Sequence, residues 1–350
     1  MFKIQNKTKL VILMCAASML TLFSLFSCKG EDANKPNPAQ AQIANDPNLK
    51  VLNDFILKNP TVAEGFFNRA KYYYDMEGYD EAILDLASAM KLDSMKPKYY
   101  HLLADTYMDY YQSRMALMTM QKASGMFPDS IHTLLKLTEF EIILKKYDAA
   151  MQTIRNILSK DRQNADAYLM MGTVLEESND MKRALAAYKK STEMNPFMID
   201  AWTKAGDIAD KMGDKNALRY FETAIRVDTN SYNALYAMAM HYQHQNNRIK
   251  ALEWFKKINQ KYPKIPQPYF NIGILYNEID SLDKAIEFFD MAINLDKIYS
   301  EAYYAKAIVQ EKQGNLKDAQ RNYSQASTLN PKFTKAAQES DRLKSIINKK

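Results

Sequence analysis

The polar and apolar positions of this chain follow one arrangement that returns about every 34 residues. From Ser300 to Pro331 an aromatic stands at the fourth place, a small residue at the eighth, Ala at the twentieth, an aromatic at the twenty-fourth and Pro at the thirty-second. The order restarts at Ala63, Pro97, Ile131, Ala165, Ile199, Tyr232, Pro266 and Ser300, with spacings of 34, 34, 34, 34, 33, 34 and 34. With the 33-residue fifth repeat aligned one place early, the twentieth place reads Ala82, Ala116, Ala150, Ala184, Ala217, Ala251, Ala285 and Ala319. A background frequency on the order of one in ten does not produce that column by chance. The eighth place reads Ala70, Ala104, Thr138, Gly172, Gly206, Ala239, Gly273 and Ala307, and the twenty-fourth Leu86, Met120, Ile154, Tyr188, Phe221, Phe255, Phe289 and Tyr323. Small residues let two helices approach and large ones fill the space beside them, so the columns predict one packed unit repeated eight times.

These offsets resemble the tetratricopeptide repeat. The resemblance implies an all-α fold, an α-solenoid of eight helix-turn-helix repeats over residues 63–332 that winds into a right-handed superhelix. Composition agrees, since only 9 Gly and 11 Pro occur in 350 residues and helix-forming side chains dominate. Pro128, Pro196, Pro263 and Pro331 stand where a second helix must stop. Ser94, Arg162, Thr229 and Lys297 take that place elsewhere, and those junctions are expected to bend less sharply. With Glu141 where Tyr is usual, Ile157 where Ala is usual and Arg162 for Pro, the third hairpin is the one expected to be distorted, if any is. A hairpin cannot bury both faces alone, so terminal caps are expected. Residues 47–62 read as an N-terminal capping helix ending at Pro60. Residues 333–350 read as a C-terminal capping helix with a basic tail, its apolar spacing carried by Phe333, Ala336, Ala337, Leu343 and Ile346.

Charge narrows the function classes. The formal +6 of 47 basic and 41 acidic residues includes Lys3, Lys7 and Lys9; without them it is 44 − 41 = +3. Much of that excess lies beyond Lys332, so no basic stripe exists to follow a phosphate backbone, which points away from nucleic acid. Glycine-rich phosphate loops, zinc-protease helices and serine-nucleophile turns are missing from the sequence, so no catalytic residue, metal ligand or cofactor is assigned. His241 and His244, three apart on one helix, read as a solvated pair, and His101 and His132 as polar groups of the groove.

The first residues bear on the compartment. Three lysines in residues 1–9, an apolar run over 10–26 and Ser27-Cys28 outline a secretion signal. A single membrane anchor is the other reading; the run is at the short edge of what spans a bilayer and has no basic stop on its far side. Leu25-Phe26-Ser27-Cys28 resembles the lipobox of bacterial lipoproteins, although Phe26 departs from the small residue usual there. The resemblance implies that residues 1–27 are removed and that Cys28 is lipidated. It also implies an outer membrane more than an inner one, because Lys29 follows the cysteine, with the periplasmic face favoured over the surface. Residues 28–46 lack apolar periodicity and read as a flexible tether of roughly 25 Å root-mean-square span.

In the tetratricopeptide family the fifth and ninth places of each repeat face a concave groove. Carried over by register, the fifth places are Phe67, His101, Leu135, Leu169, Thr203, Tyr236, Phe270 and Tyr304. The ninth are Lys71, Asp105, Glu139, Thr173, Asp207, Met240, Ile274 and Ile308. The first five repeats then offer a mixed, rather acidic surface and the last three an apolar, aromatic one. The expected function is that of a membrane-anchored scaffold holding protein partners of an envelope complex concerned with assembly, secretion, motility or proteolysis. The alternative is a ligand-binding lipoprotein in which Tyr236, Phe270 and Tyr304 stack on a glycan or peptidoglycan fragment.

Overall fold

The computed structural model describes residues 46–349; the signal, Cys28 and nearly all of the tether lie outside them. Every regular element among the described residues is an α-helix. Pro47–Lys58 opens the array, capped by the Asp46 carboxylate, which accepts a hydrogen bond from the Asn48 amide. Eight antiparallel hairpins follow, the first formed by Ala63–Asp75 and Tyr79–Leu92 and the last by Ser300–Lys312 and Leu316–Leu329. Thr334–Ile347 closes the chain. Phe333 before it lies against Tyr304 with ring centroids 4.6 Å apart, and its buried stripe is Ala336, Ser340 and Leu343, with Ala337 turned to solvent.

Each hairpin is closed by the columns seen in the sequence. All eight alanines of the twentieth place are buried, and so are the eight large side chains of the twenty-fourth. The approach is closest where the eighth place is glycine. A Cβ added to Gly172, Gly206 or Gly273 would lie 2.4, 2.5 or 2.6 Å from the ring of Tyr188, Phe221 or Phe289. Those backbones touch an aromatic face directly, which only glycine permits.

The turn inside each hairpin depends on one backbone conformation. The fifteenth residue of every repeat has a positive φ: Glu77, Tyr111, Lys145, Asn179, Gly213, Asn246, Asp280 and Gly314. Only two are glycine, so six hairpins hold a side chain in the left-handed region, at a cost of roughly 1–2 kcal/mol where the residue is neither Gly nor Asn or Asp. The backbone bonds that close the helix and the tertiary packing beyond it compensate.

The seven junctions between hairpins and the one before the closing helix have the same length, whether or not they contain proline. The second helix of repeat 3 ends at Lys160 and the next begins at Ala165; with proline, Met194 is followed by Ile199. Length therefore does not set the proline-free junctions apart, and the residue before supplies a common device. All four repeats without proline have aspartate there, and its carboxylate accepts from the amide two residues on: Asp93 from Met95, Asp161 from Gln163, Asp228 from Asn230 and Asp296 from Ile298, at 2.7–3.0 Å. Asn195 and Asn330 make the same turn beside Pro196 and Pro331, so this side-chain turn directs the chain out of the helix with or without proline.

The expected distortion of the third hairpin is not found. Its helices, Ile131–Ile143 and Tyr147–Lys160, have the regular lengths. Glu141 is buried there and accepts a hydrogen bond from the Thr153 hydroxyl at 2.9 Å, which satisfies the acid where tyrosine is usual. The irregular hairpin is the fifth, where the missing residue shortens the second helix to Ala217–Val227. Asp214 organises the altered turn by accepting from the Asn216 amide.

Two substitutions test this account. Gly206→Val is expected to lower stability by roughly 1–3 kcal/mol in urea unfolding, because Phe221 has no space to retreat into. Tyr111→Gly, at an exposed left-handed position, is expected to raise it by roughly 0.5–1 kcal/mol in the same measurement.

Candidate functional site

The first helices of the repeats stand side by side, and those of repeats 1–6 surround an open cavity of about 1400 Å³. Of the residues assigned to the groove from sequence, Asp105, Glu139, Tyr236 and Met240 line it, joined by Leu169, Thr173, Thr203 and Asp207 of the same register. Phe67, Lys71 and His101 line a smaller pocket of about 330 Å³ at the N-terminal end, which Asp105 also borders. Phe270, Ile274, Tyr304 and Ile308 line neither. Cys28 lies outside the described residues.

The fifth and ninth places proved too narrow a stripe. Asp200 and Asn233 from the second place, and Tyr74, Asp75, Met108, Asp109, Ile142, Ile143 and His244 from the twelfth and thirteenth, line the cavity as well. Steps of three and four along a helix keep places 2, 5, 9, 12 and 13 on one face, so helical spacing alone held the signal.

The aromatic half is occupied by its own neighbours. Tyr236 stacks on Tyr232 at 5.6 Å, meets Phe255 edge-on at 5.8 Å and accepts a hydrogen bond from Asn271 at 2.7 Å. Phe270 lies against Tyr299 at 5.2 Å and Phe289 at 5.8 Å, and Tyr304 is held between Tyr323 and Phe333. Most of these contacts lie within a hairpin, and the Phe270–Tyr299 and Tyr304–Phe333 contacts and the Asn271–Tyr236 bond reach the next unit.

The open part of the groove is charged. Its walls carry Asp75, Asp105, Asp109, Glu139, Asp200 and Asp207, with Lys204 as the one lysine. Lys136 meets Asp105 at 2.7 Å, and the Tyr74 hydroxyl donates to Asp109 at 2.6 Å. Lys204 and its neighbour Lys211 are both drawn to Glu176, at 3.3 and 2.9 Å. Asp75, Glu139, Asp200 and Asp207 are thereby left with no hydrogen bond or ion pair among the described residues. Burial raises Glu139 above the usual carboxylate range and pushes Asp207 up to about 6, more than Lys204 and Lys211 draw it down.

The histidines sit differently from expectation. His244 is exposed, but His241 is buried, and the Nδ1 of each meets one oxygen of Asp210, at 2.6 Å for His241 and 2.9 Å for His244. Burial alone would raise Asp210; the bonds from His244 and His241 outweigh it and hold the carboxyl below its ordinary value. His101 is buried with Nε2 3.0 Å from the Thr133 hydroxyl. Burial first, then the nearby His132 and Lys136, lowers it to about 4, so it stays neutral near pH 7. Among the described residues no cluster of His, Cys, Asp or Glu is placed to hold a metal ion.

Asp207 gives a pH test. Its folded carboxyl binds a proton more tightly than the unfolded one, so the native state loses stability as pH rises through about 6. Asp207→Asn is expected to stabilise the chain by on the order of 1–3 kcal/mol near pH 8 and by little near pH 4, read from thermal melts across that range. An increment that stays constant with pH would assign Asp207 an ordinary carboxyl.

The tetratricopeptide repeat family model matches residues 165–197, 266–299 and 300–333. A tetratricopeptide-repeat-containing protein of Methanocaldococcus jannaschii is 25% identical over 199 residues, which are 54% of this chain and 35% of that protein. A DnaJ homolog subfamily C member 7 homolog of Dictyostelium discoideum is 23% identical over 286 residues, 77% of this chain and 49% of its own length. The chain thus spans half or less of these relatives. Among solved structures, a tetratricopeptide repeat protein from Parabacteroides merdae superposes with a TM-score of 0.55 at 14% identity, covering 71% of this chain and 98% of that one. The Cut9 and Hcn1 hetero-tetramer of the APC/C gives a TM-score of 0.55 at 13% identity, covering 83% of this chain and 58% of the other. Three of the eight hairpins match the tetratricopeptide repeat model and the rest are built on the same columns, so the fold is an α-solenoid of tetratricopeptide-type hairpins.

Proposed function

We propose that the chain is a lipid-tethered scaffold of a bacterial cell envelope, which holds a partner protein in the concave groove of repeats 1–6. The observation that carries this reading is the open cavity, whose walls combine exposed apolar side chains, Ile143 among them at 55% exposure, with carboxylates of which Asp75, Glu139, Asp200 and Asp207 form no hydrogen bond or ion pair among the described residues. A groove of this size and mixed chemistry suits an extended segment or a helix of another protein. Tetratricopeptide arrays generally mediate protein–protein interactions. The signal-like residues 1–27 and Cys28 support the tether, and Lys29 after it supports the outer membrane. A glycan-binding role gains less support, because Tyr236, Phe270 and Tyr304 already spend ring faces or edges on neighbouring aromatic side chains.

The reading is tested by affinity capture from detergent-solubilised envelopes, comparing the native chain with Ile143→Glu/Met240→Glu. Loss of a specific protein in the double variant, with the fold intact by circular dichroism, is the expected result. An unchanged set of captured proteins would remove the groove from the interaction. Cys28→Ala is expected to abolish metabolic labelling with a fatty acid and to release the chain from the membrane fraction.

A further inference from the structure

The partner's chemistry follows from how the groove handles charge, given the groove-binding role above, on which this inference rests. In the body of the array acids are neutralised: Asp85 receives both Nε and Nη2 of Arg69 at 2.7 Å, Glu176 gathers two lysines and Asp210 two histidines. In the middle of the groove that rule is broken. Glu139 and Asp207 are partly buried without a partner, and the lysines nearest Asp207 turn to Glu176 instead. Lys136 near Glu139, and Lys204 and Lys211 near Asp207, offset only part of what burial costs these carboxylates, and a protein retains such a cost where the site works on something else. Leu169 and Met240 lie on the same walls, so the surface offers apolar seats between unpaired negative charges. The smaller pocket differs, since Lys71, Lys98 and Lys136 border it; selection for positive charge therefore belongs to the middle of the groove.

We propose that the middle of the concave groove receives a lysine- or arginine-bearing segment of a partner protein, whose cations meet Glu139, Asp200 and Asp207 while its apolar side chains seat on Leu169 and Met240. The occupant supplies the counter-charge that the chain withholds. Opposite charge across a concave, low-dielectric wall is attractive and rejects acidic segments in the same positions.

A random dodecapeptide library displayed on phage is selected against the full-length chain in detergent and, in parallel, against Glu139→Gln/Asp200→Asn/Asp207→Asn. The triple variant removes charge that burial penalises, so its folding is retained, and a thermal melt confirms it. Enrichment of peptides with net positive charge and two or more Leu, Ile, Phe or Met residues, lost on the variant, is the expected result. Affinity for the enriched peptide, read by anisotropy, should then weaken about tenfold or more between about 50 and about 500 mM NaCl, and the variant should bind it about tenfold or more weakly at about 50 mM NaCl with a smaller dependence on salt. Enrichment of neutral or acidic peptides that Ile143→Glu/Met240→Glu abolishes would overturn the cationic partner while leaving the groove as a binding site. Enrichment unaffected by either set of substitutions, or no enrichment at all, would overturn the cationic partner; the envelope capture separately decides whether the groove binds protein.

Discussion

The structure depends on one contact made eight times: a small residue at the eighth place of a first helix against a large side chain at the twenty-fourth place, on the second helix. Where that small residue is Gly172, Gly206 or Gly273, the ring of the partner occupies the space a Cβ would need. This approach sets the distance between the helices of a hairpin, and the buried alanine of the twentieth place keeps it open to no larger side chain. Because the contact lies inside one hairpin, it fixes the unit and leaves the stacking of units to other groups.

Stacking is done along two edges and through the rings. Near the hairpin turns, Tyr74 reaches Asp109, Tyr110 reaches Asp80, Tyr147 reaches Glu177 and Arg248 reaches Glu278, each across one repeat. At the opposite edge Lys98 meets Glu64 and Lys160 meets Asp129. These exposed pairs contribute little individually, about 0–1 kcal/mol, and serve mainly to fix orientation. The apolar contacts between neighbouring hairpins are larger, and in repeats 6–8 they recruit the aromatic side chains that would otherwise face the groove. Stability of such an array is a sum over units and nearest-neighbour interfaces, so the cost of an unpaired acid in one wall is borne locally.

The groove and the core thus make opposite use of the same residue type. Asp85, Glu176 and Asp210 are buried or nearly so, and each is satisfied within the chain. Asp207 and Glu139 are desolvated on a surface that faces open space, and burial holds their protons more tightly than water would. A binding surface prepared in this way is already partly dehydrated, which reduces what a cationic partner must displace on arrival.

The sequence by itself determined the unit, its length and its number, because those depend on side-chain size at fixed helical offsets and size is written in every residue. The cap at Phe333 and the stops at Pro128, Pro196, Pro263 and Pro331 were legible for the same reason. The equal role of Asp93, Asp161, Asp228 and Asp296 was present in the sequence too, one place earlier, but as a hydrogen bond to a backbone amide instead of a ring that blocks one. The left-handed turn at Tyr111 and Lys145 was not legible, since neither residue favours that conformation and only closure of the hairpin imposes it. Which groove positions stay open was decided by tertiary structure alone. Phe270 and Tyr304 occupy the same register as Leu169, Thr203 and Tyr236, yet whether a side chain faces the cavity or a neighbour depends on how closely successive hairpins approach. That distance is set by contacts between repeats, which no single repeat's sequence contains.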